Sequence, residues 1–338
     1  YKEIHILMIG ESLKRLNSFG VDVYAYNFYT IQSYNDIIDF LKKDTTQRSK
    51  IMVLGSGSNI LFTKNYEGVI LYNNILGIET INECEKSVIV SVGSGVVWHD
   101  FVIWSLNKNL SGIENLALIP GTVGASPIQN IGAYGVEVKN FIKEIEYVDL
   151  KNGELKKINN KSCKFSYRDS IFKNELKGST FITRVTFKLS KEWINETSYG
   201  EIIQELKSIK KESSPKNIAE AVINIRRRKL PDVKEIGNAG SFFKNPIISN
   251  KKFSTLKDNF PTIIGYPVSK NETKVAAGWL IDHIGLKGYR KGDAGVHSKQ
   301  ALVLVNHGNA TGLDILNLAI EIQRKIKDIY DINLEFEV

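Results

Sequence analysis

A glycine-rich segment, IPGTVGASPIQNIGAYGVEV at residues 119–138, constrains the fold of this chain more than any other stretch. Apart from Glu137 it carries no charged side chain. Because glycine adopts positive φ readily and lets another molecule approach the main chain closely, such a segment leaves backbone N–H and C=O groups open to a ligand. A set of buried tight turns between strands is the structural alternative, and for one such segment alone it is the preferred explanation.

A second run poor in side chains follows residues 51–54, which the sequence predicts as a buried strand. It reads GSGSN at residues 55–59, and consecutive backbone N–H groups in such a turn form a concave site for phosphate oxygens. The run does not match GxGxxG and no clear helix opens after it, so the dinucleotide fingerprint of a doubly wound fold is not met. Two such segments in one chain favour a large, flat, partly anionic cofactor.

The composition is that of an ordinary globular protein, with 42% apolar and 24% charged residues. The 338 residues suffice for two or three domains, and no run of about eighteen apolar residues predicts a membrane span. The two cysteines, Cys84 and Cys163, and the scattered histidines predict neither a disulfide framework nor a metal site. The simplest expected compartment is a reducing cytoplasm.

The chain is basic, with a formal net charge of +8, which suits either nucleic acid or ligands that carry phosphates. Its clearest basic run, residues 226–229, has a structural explanation. Ser214 and Pro215 are expected to begin a helix whose last turn holds this run, where positive charge complements the helix dipole. A nucleic-acid interface would need aromatic residues interleaved with basic ones, and the aromatic residues instead follow apolar periodicity.

Hydrophobic periodicity predicts a mixture of helices and strands. Helices are expected after Ser33, with Asp36 as its capping partner, over residues 97–106, and from Thr311 onward. Strands are expected at residues 69–71, 87–92, 142–150, 180–189 and 332–338. The best candidate domain boundary lies near residues 210–228.

A third informative run, GNAGSFFKNP at residues 237–246, places Ser241 among glycines and aromatic residues. Such a serine is partly desolvated and accessible to a ligand, whereas the structural alternative is an ordinary turn serine. Neither G-x-S-x-G nor an HGGG-type loop surrounds it, so a serine-hydrolase site is not supported.

Taken together, these runs resemble the UDP-N-acetylenolpyruvoylglucosamine reductase family. The resemblance spans residues 13–338 and rests on nine motifs in the family's order, which together are very specific. They are LNSFGVD (16–22), VLGSGSNIL (53–61), IPGTVGASPIQNIGAYGVE (119–137), YRDSIFK (167–173), RKLPD (228–232), GNAGSFFKNP (237–246), AAGWLIDHIGLKGYRKGDAGVH (276–297), QALVLVN (300–306) and LEFEV (334–338). SYGE at 198–201 and the long AAGWLID run look like the subclass with an extra substrate-covering loop.

The resemblance implies an α+β fold. Its expected parts are a two-subdomain FAD-binding unit of the vanillyl-alcohol-oxidase (PCMH) type and a C-terminal α+β substrate-binding domain. We expect residues 1–75 and 76–225 to form the two FAD-binding subdomains and residues 226–331 the substrate-binding domain. In this family the last strand folds back toward the active site, so residues 332–338 are expected to return to the first subdomain.

The resemblance also implies a reaction of peptidoglycan synthesis in two halves. NADPH first reduces a noncovalently bound FAD, and the reduced flavin N5 then passes hydride to the vinyl carbon of UDP-N-acetylglucosamine enolpyruvate. The enolate-like species that forms is stabilised and then protonated on carbon, which gives UDP-N-acetylmuramate. By position in matching motifs, Arg168 and Glu337 would stabilise the enolate and Ser241 would donate the proton. For Arg168 the structural alternative is an ion pair with Asp169.

The remaining expected site residues also follow from the matching motifs. For FAD they are Gly55, Ser56, Gly57, Ser58, Asn59, Pro120, Gly121, Thr122, Gly124, Ala125, Gln129, Asn130, Gly132, Ala133 and Gly135. For the substrate they are Tyr167, Tyr199, Lys229, Asn245, Tyr266 and Gln300. Tyr199 beside Gly200 would suit a lid, and Lys229 would meet the diphosphate.

Two other functions are the alternatives to this expected activity. An alcohol oxidase or dehydrogenase of the same flavin fold would often attach its flavin through a histidine, and neither glycine-rich segment contains one. A basic nucleic-acid-binding protein is the alternative from another class. The expected partners are the enolpyruvyl nucleotide and NADPH, with neither nucleic acid nor membrane, and the chain is expected to act as a monomer.

Overall fold

The computed structural model describes residues 10–43, 50–193 and 199–338 of the chain. Ser198, the first residue of the expected substrate-covering loop, lies outside the described residues. The contacts divide the chain into two compact units. Of the described residues, the first contains 10–11, 24–43, 50–57, 66–193 and 199–228, and the second contains 12–23, 58–65 and 229–338. The three-part division expected from the sequence remains a prediction.

The first unit begins with a four-stranded sheet in the order β1-β2-β4-β3. Strands β2, β4 and β3 run parallel, and helix α1 lies against them through Ile37, Phe40 and Leu41. As predicted, Ser33 begins this helix: Asp36 N–H donates to Ser33 Oγ at 3.3 Å, and Ser33 N–H donates to Asp36 Oδ2 at 2.9 Å. The elements are β1 (Glu11–Ser12), β2 (Tyr24–Ile31), α1 (Tyr34–Lys43), β3 (Ile51–Leu54) and β4 (Tyr66–Asn73).

A five-stranded antiparallel sheet in the order β10-β9-β11-β6-β5 forms the rest of the first unit's framework. Helices α2 and α4 contribute to its core through Phe101, Val102, Val222 and Ile225. The elements are β5 (Ile78–Glu83), β6 (Ser87–Gly93), α2 (Trp98–Asn107), β7 (Gly132–Ala133), β8 (Val136–Glu137), β9 (Ile142–Asp149), β10 (Leu155–Asn159), β11 (Thr180–Ser190), α3 (Gly200–Ser208) and α4 (Pro215–Lys229).

The second unit has a four-stranded sheet in the order β12-β18-β17-β16 and a three-stranded sheet in the order β13-β15-β14. The long final helix begins at a capping box between Thr311 and Asp314 and buries Ile315, Leu318 and Ile322. The elements are β12 (Gly237–Ser241), β13 (Ile247–Ser249), α5 (Asn250–Asn259), β14 (Gly265–Pro267), β15 (Glu272–Val275), α6 (Ala277–His283), β16 (Arg290–Lys291), β17 (Ala294–Val296), β18 (Val303–Asn306) and α7 (Gly312–Tyr330).

The secondary structure confirms the predicted α+β class and most of the predicted elements. The exception is the C-terminal strand expected over residues 332–338. There the structure has an isolated antiparallel bridge between Phe243 and Phe336 instead of a full strand. The reason is that its partner segment, residues 242–244, is itself short and follows an irregularity in β12. No helix in the described parts of the chain is long and apolar enough to cross a membrane.

Candidate functional site

The two glycine-rich segments meet within the first unit. A Cβ atom placed on Gly55 would lie 2.9 Å from Oγ1 of Thr122, a separation that real Cβ contacts almost never show. Thr122 is buried, so its hydroxyl cannot simply move into solvent. The absence of a side chain at Gly55 therefore lets the turn after β3 pack directly against the segment at residues 119–138.

The start of α2 fixes the course of the longer segment. Trp98 N–H donates to the carbonyl of Gly121 at 3.0 Å, and Val123 N–H donates to the carbonyl of Val96 at 2.8 Å. A Cβ atom on Gly124 would lie 2.5 Å from Cβ of Ser94, so only glycine fits there. These contacts fix the main chain of residues 121–124 at the end of β6.

The second half of the segment is a hairpin formed by β7 and β8. Asn130, before the hairpin, has φ of +45° and is fully buried. Its amide nitrogen donates to the carbonyl of Ser166 at 2.9 Å, and its Oδ1 accepts from Lys139 N–H at 3.2 Å. Asn130 thus ties the segment to the turn that carries Arg168.

Arg168 lies at the tip of that turn, between residues 166 and 169, with φ of +54°. Its Nη2 donates to the carbonyl of Gly132 at 2.8 Å, and its guanidinium lies 5.4 Å from the ring centroid of Tyr167. The carboxylate of Asp169, its partner in the structural alternative, accepts hydrogen bonds of 3.0 and 3.1 Å from Asn174 Nδ2. The half-buried guanidinium is therefore oriented by the hairpin backbone.

Tyr134 and Arg226, two residues that were not expected in the site, lie near Arg168 together with the expected substrate residue Tyr199. The Tyr134 ring packs edge-to-face on Tyr199 at 5.4 Å, and burial raises the pKa of the Tyr134 hydroxyl to about 12. Arg226 donates from Nε to the carbonyl of Leu118 at 3.2 Å. Burial lowers the pKa of Arg226, while the Tyr134 hydroxyl acts to raise it and the charge of Arg168 to lower it.

The position of Arg226 adds a contact that the expectation for the basic run did not include. Helix α4 does end at Lys229, as expected, but Arg226 is turned toward Leu118 and is not simply a solvated residue of the last turn. The position of Arg226 in the sequence could have indicated this direction, because it lies four residues after Val222 and directly after Ile225, both fully buried. That position is at the edge of the apolar stripe, where a long side chain reaches inward.

In the second unit, Ser241 ends strand β12 just after an irregularity in its pairing with β18. Gly240, with φ of +73°, forms this irregularity, and its N–H donates to Asn238 Oδ1 at 3.0 Å. A bulge of this kind redirects the side chain that follows it. Ser241 is half-buried, whereas Phe242 and Phe243 after it are buried in the core.

The C-terminal segment pairs with the residues that follow Ser241. Glu337 N–H donates to the carbonyl of Phe242 at 2.8 Å, and Lys244 N–H donates to the carbonyl of Glu335 at 2.9 Å. The Phe336 ring lies 5.5 Å from that of Phe242. Asn59 Nδ2 donates to the carbonyl of Glu337 at 3.0 Å. The structure therefore brings Ser241, Glu337 and one residue of the glycine–serine turn together.

The residues expected to bind substrate are distributed over both units. Tyr167 and Tyr199 belong to the first unit, and Lys229, Asn245, Tyr266 and Gln300 belong to the second. Asn245 Oδ1 accepts from Ala277 N–H at 2.9 Å, which fixes this side chain at the start of α6. Tyr266 on β14 is exposed, and Gln300 is half-buried before β18.

Across the described residues, no three His, Cys, Asp or Glu side chains are grouped closely enough to hold a metal ion. The polar groups of the site are instead arginine, tyrosine and amide side chains and backbone N–H groups. Such groups bind and orient anions, and they stabilise negative charge that develops during a reaction.

Comparison with known proteins gives matches over almost the whole chain. The family model described as the UDP-N-acetylenolpyruvoylglucosamine reductase C-terminal domain matches residues 231–338, and the model described as an FAD binding domain matches residues 27–159. The reductase of that name from Flavobacterium johnsoniae is 46% identical over 97% of both chains. The one from Photobacterium profundum is 44% identical over 97% of this chain and 93% of its own.

Among solved structures, the crystal structure of the reductase from Thermus caldophilus is similar, with a TM-score of 0.64 and 25% identity. The match covers 96% of this chain and 95% of that one. Both parts of the expected architecture, an FAD-binding unit followed by a C-terminal domain, are thus matched independently. The chain belongs to the UDP-N-acetylenolpyruvoylglucosamine reductase family.

Proposed function

We propose that this protein is an FAD-containing oxidoreductase that uses NADPH to reduce UDP-N-acetylglucosamine enolpyruvate to UDP-N-acetylmuramate. The names of relatives that are 43–46% identical over nearly the full chain support this activity. The structural observation that carries the proposal is the pairing of the C-terminal segment with the residues after Ser241. It supports a joint role for Ser241 and Glu337, because a hydroxyl and a carboxyl group lie on adjacent backbone segments.

The two glycine-rich segments fit FAD. At Gly55 and Gly124 a side chain would collide with its neighbours, so backbone rather than side chains forms the surface there. The turn at residues 55–59 offers backbone N–H groups to a pyrophosphate, and residues 120–135 offer a flat, uncharged surface to aromatic rings. We propose that the FAD contacts are those expected from the sequence. When bound, FAD supplies the hydride chemistry between NADPH and the enolpyruvyl group.

Arg168 would bind the carboxylate of the enolpyruvyl group and stabilise the negative charge that grows on it during reduction. A guanidinium remains protonated throughout and offers parallel N–H donors to a carboxylate. The bond from its Nη2 to Gly132 supports this role, because it orients the guanidinium before substrate arrives. Charge stabilisation by a pre-oriented donor is usually the largest single contribution to such a rate.

Ser241 would donate a proton to the substrate carbon, and Glu337 would assist in stabilising the enolate. A hydroxyl is a weak acid, so it donates only to a strong base such as a carbon-centred enolate. The bulge at Gly240 supports this role because it turns the hydroxyl away from regular strand geometry. The hydrogen bonds that the backbone of Glu337 makes to Phe242 and Asn59 limit the motion of this residue.

Substrate binding would fall to Tyr167, Tyr199, Lys229, Asn245, Tyr266 and Gln300, with Lys229 and the tyrosines at the diphosphate and uridine. Tyr199 is exposed and precedes helix α3, which suits a side chain that closes over a ligand. We also propose that the protein acts as a monomer in the cytoplasm. Its parts would be two FAD-binding subdomains and one substrate-binding domain. Sedimentation of the purified protein with and without substrate would test the monomer.

An anaerobic two-step assay tests the proposed function. The FAD-loaded protein is first titrated with NADPH until the flavin absorbance is bleached. UDP-N-acetylglucosamine enolpyruvate is then added, and we expect the absorbance to return with formation of UDP-N-acetylmuramate. If the absorbance stays bleached with this nucleotide, the substrate assignment is wrong. Bleaching by an alcohol in place of NADPH would instead support the oxidase or dehydrogenase alternative.

A further inference from the structure

Leu118, directly before the longer glycine-rich segment, has a backbone conformation unusual for a residue with a side chain. Its φ is +58°, in the left-handed region that glycine occupies easily and leucine does not. The residues after it are Ile119 and Pro120, so the conformation at Leu118 sets the direction in which the segment starts. Such a conformation persists only where the surroundings hold it.

Two side chains hold the main chain of Leu118, one through its N–H group and the other through its carbonyl oxygen. Its N–H donates to Nδ1 of His99 at 3.0 Å, and its carbonyl accepts from Nε of Arg226 at 3.2 Å. His99 lies in the first turn of α2 and Arg226 in the last part of α4. Both polar groups of this strained residue are thus satisfied by side chains, not by a strand or helix.

The bond from Leu118 determines the protonation state of His99. A ring nitrogen can accept a hydrogen bond only when it carries no proton, so Nδ1 must be bare and the neutral ring must carry its proton on Nε2. Burial lowers the pKa of His99, and the charges of Arg226 and Arg227 lower it further, while Asp100 acts in the opposite direction. The positive end of the α2 dipole also disfavours the imidazolium.

The remaining charged group near this end of α2 belongs to the turn Glu114–Leu116, which packs on the helix. The Glu114 carboxylate accepts from Gly112 N–H at 2.5 Å, and His99 is not among the groups that shift its pKa. Among the described residues, the charged groups that act on the pKa of His99 are Asp100 on its own helix and Arg226 and Arg227 on α4.

We propose that His99 and Arg226 form a clamp on Leu118 that sets the conformation of residues 119–124, so that FAD affinity falls when His99 takes up a proton. His99 is a positioning residue in this proposal and touches neither cofactor nor substrate. The inference rests on the proposed contacts between FAD and residues 120–135. Its physical basis is that an imidazolium would place an N–H at Nδ1 directly opposite the N–H of Leu118.

The sign of the pH effect follows from the lowered pKa. The neutral ring is favoured in the folded chain, so the clamp is complete above the ordinary histidine pKa of 6.5. As the pH falls from 6.5 through the lowered pKa of His99, protonation displaces the bond to Leu118, and the contribution of the clamp is lost. FAD binding, which favours the clamped segment, should weaken over the same range.

The test is the dissociation constant for FAD, measured by quenching of flavin fluorescence with apoprotein from pH 8 down to the lowest pH at which the apoprotein stays folded. For wild type, we expect affinity to fall by roughly fivefold to tenfold over this range, the factor that corresponds to one net hydrogen bond. In His99→Asn, Oδ1 of the shorter amide can occupy the place of Nδ1 and does not titrate. This variant should keep most of the affinity at pH 8 and lose the pH dependence.

His99→Leu removes the acceptor and should bind FAD at pH 8 about as weakly as wild type does at the low end of that pH range. Leu118→Gly supplies the double-mutant control, because glycine adopts positive φ without a clamp. In the Leu118→Gly background, His99→Leu should change FAD affinity by less than twofold, a margin that is typical of uncoupled substitutions. If His99→Leu destabilises the fold, the comparison of wild type with His99→Asn still decides the question.

The proposal of a clamp is wrong if His99→Asn keeps the pH dependence of wild type. It is also wrong if His99→Leu changes FAD affinity by the same factor whether residue 118 is leucine or glycine. Wild-type FAD affinity that is independent of pH would also reject it, and the proposed function would be untouched. Failure of the wild-type apoprotein to bind FAD at any pH would instead reject the proposed function.

Discussion

The amide N–H of Glu337 donates a hydrogen bond of 2.8 Å to the carbonyl oxygen of Phe242. Because Phe242 directly follows Ser241, this bond fixes the C-terminal segment beside the serine in one register. The bridge between Phe243 and Phe336 and the bond from Lys244 to Glu335 continue the same pairing. The relative position of the two proposed catalytic groups thus depends on a short antiparallel contact and on the aromatic cluster beneath it.

Ser241→Ala is expected to slow the second half of the reaction and leave the first half unchanged. Bleaching of the flavin by NADPH should keep its wild-type rate, because the hydroxyl has no part in that half. The return of the flavin absorbance on addition of the enolpyruvyl nucleotide should slow by roughly 10²–10³-fold, the usual cost of losing one transition-state donor. Stopped-flow absorbance measures both rates. Ser254→Ala, at an exposed position on α5, is the matched control and should leave both unchanged. Equal slowing of the two halves would contradict the role of Ser241.

Phe336→Ala is expected to release the C-terminal segment. The ring packs 5.5 Å from Phe242 and 5.7 Å from Phe243, and it is only partly buried. Its removal should lower the free energy of unfolding by about 2 kcal/mol, less than for a fully buried phenylalanine. Activity measured well below the melting temperature should fall more than unfolding accounts for, because Glu337 loses its register.

Phe336→Leu is the conservative control for this prediction. It keeps an apolar side chain in the cluster and should retain most of the activity. Denaturant unfolding and steady-state kinetics on both variants are the measurements. If Phe336→Ala keeps wild-type kcat once it is folded, the aromatic cluster does not position Glu337.

Gly55→Ala is expected to separate the two glycine-rich segments. Its new methyl group would lie 2.9 Å from Thr122 Oγ1, so the Thr122 side chain or one of the two backbones must move. We expect at least about a fivefold loss of FAD affinity, since overpacking commonly costs about 1–3 kcal/mol. Thr122→Ala in the same chain removes both γ atoms and leaves Cβ at 3.8 Å, an ordinary contact. The double variant should therefore bind FAD better than Gly55→Ala alone.

Gly200→Ala is the matched control for this experiment, because nothing lies within 4 Å of a Cβ atom at Gly200. It should leave FAD affinity unchanged. Fluorescence titration of FAD into the apoproteins gives all four values. Equal FAD affinity for Gly55→Ala and wild type would show that contact between the two segments is unimportant for the cofactor.

Tyr134→Leu is expected to raise the KM for the enolpyruvyl nucleotide without a comparable loss of kcat. The Tyr134 ring supports Tyr199 edge-to-face at 5.4 Å, and such pairs contribute about 0.5–1.5 kcal/mol. A rise in KM of roughly twofold to tenfold follows from that range. Tyr134→Phe keeps the ring and should behave as wild type. A large fall in kcat for Tyr134→Phe would instead assign the Tyr134 hydroxyl a part in the chemistry.

Much of the local structure could be predicted because its causes are local. The cap at Ser33 and the helix start at Thr311 each depend on residues within a few positions of one another. The family could also be identified, because nine short motifs in a fixed order are themselves a property of the sequence. The prediction of a strand at residues 332–338 was wrong, because the pairing of this segment depends on an irregular partner that is distant in the sequence.

By itself, the sequence determined where side chains are missing and where several of the helices and strands form, because propensity, capping and periodicity act over a few residues. Only the tertiary structure decided that Gly55 lies against Thr122, that Arg226 turns inward to Leu118, and that Glu337 pairs with Phe242. These contacts join residues far apart in the chain. Their geometry depends on sheet pairing and close packing of the whole unit, which no local pattern encodes.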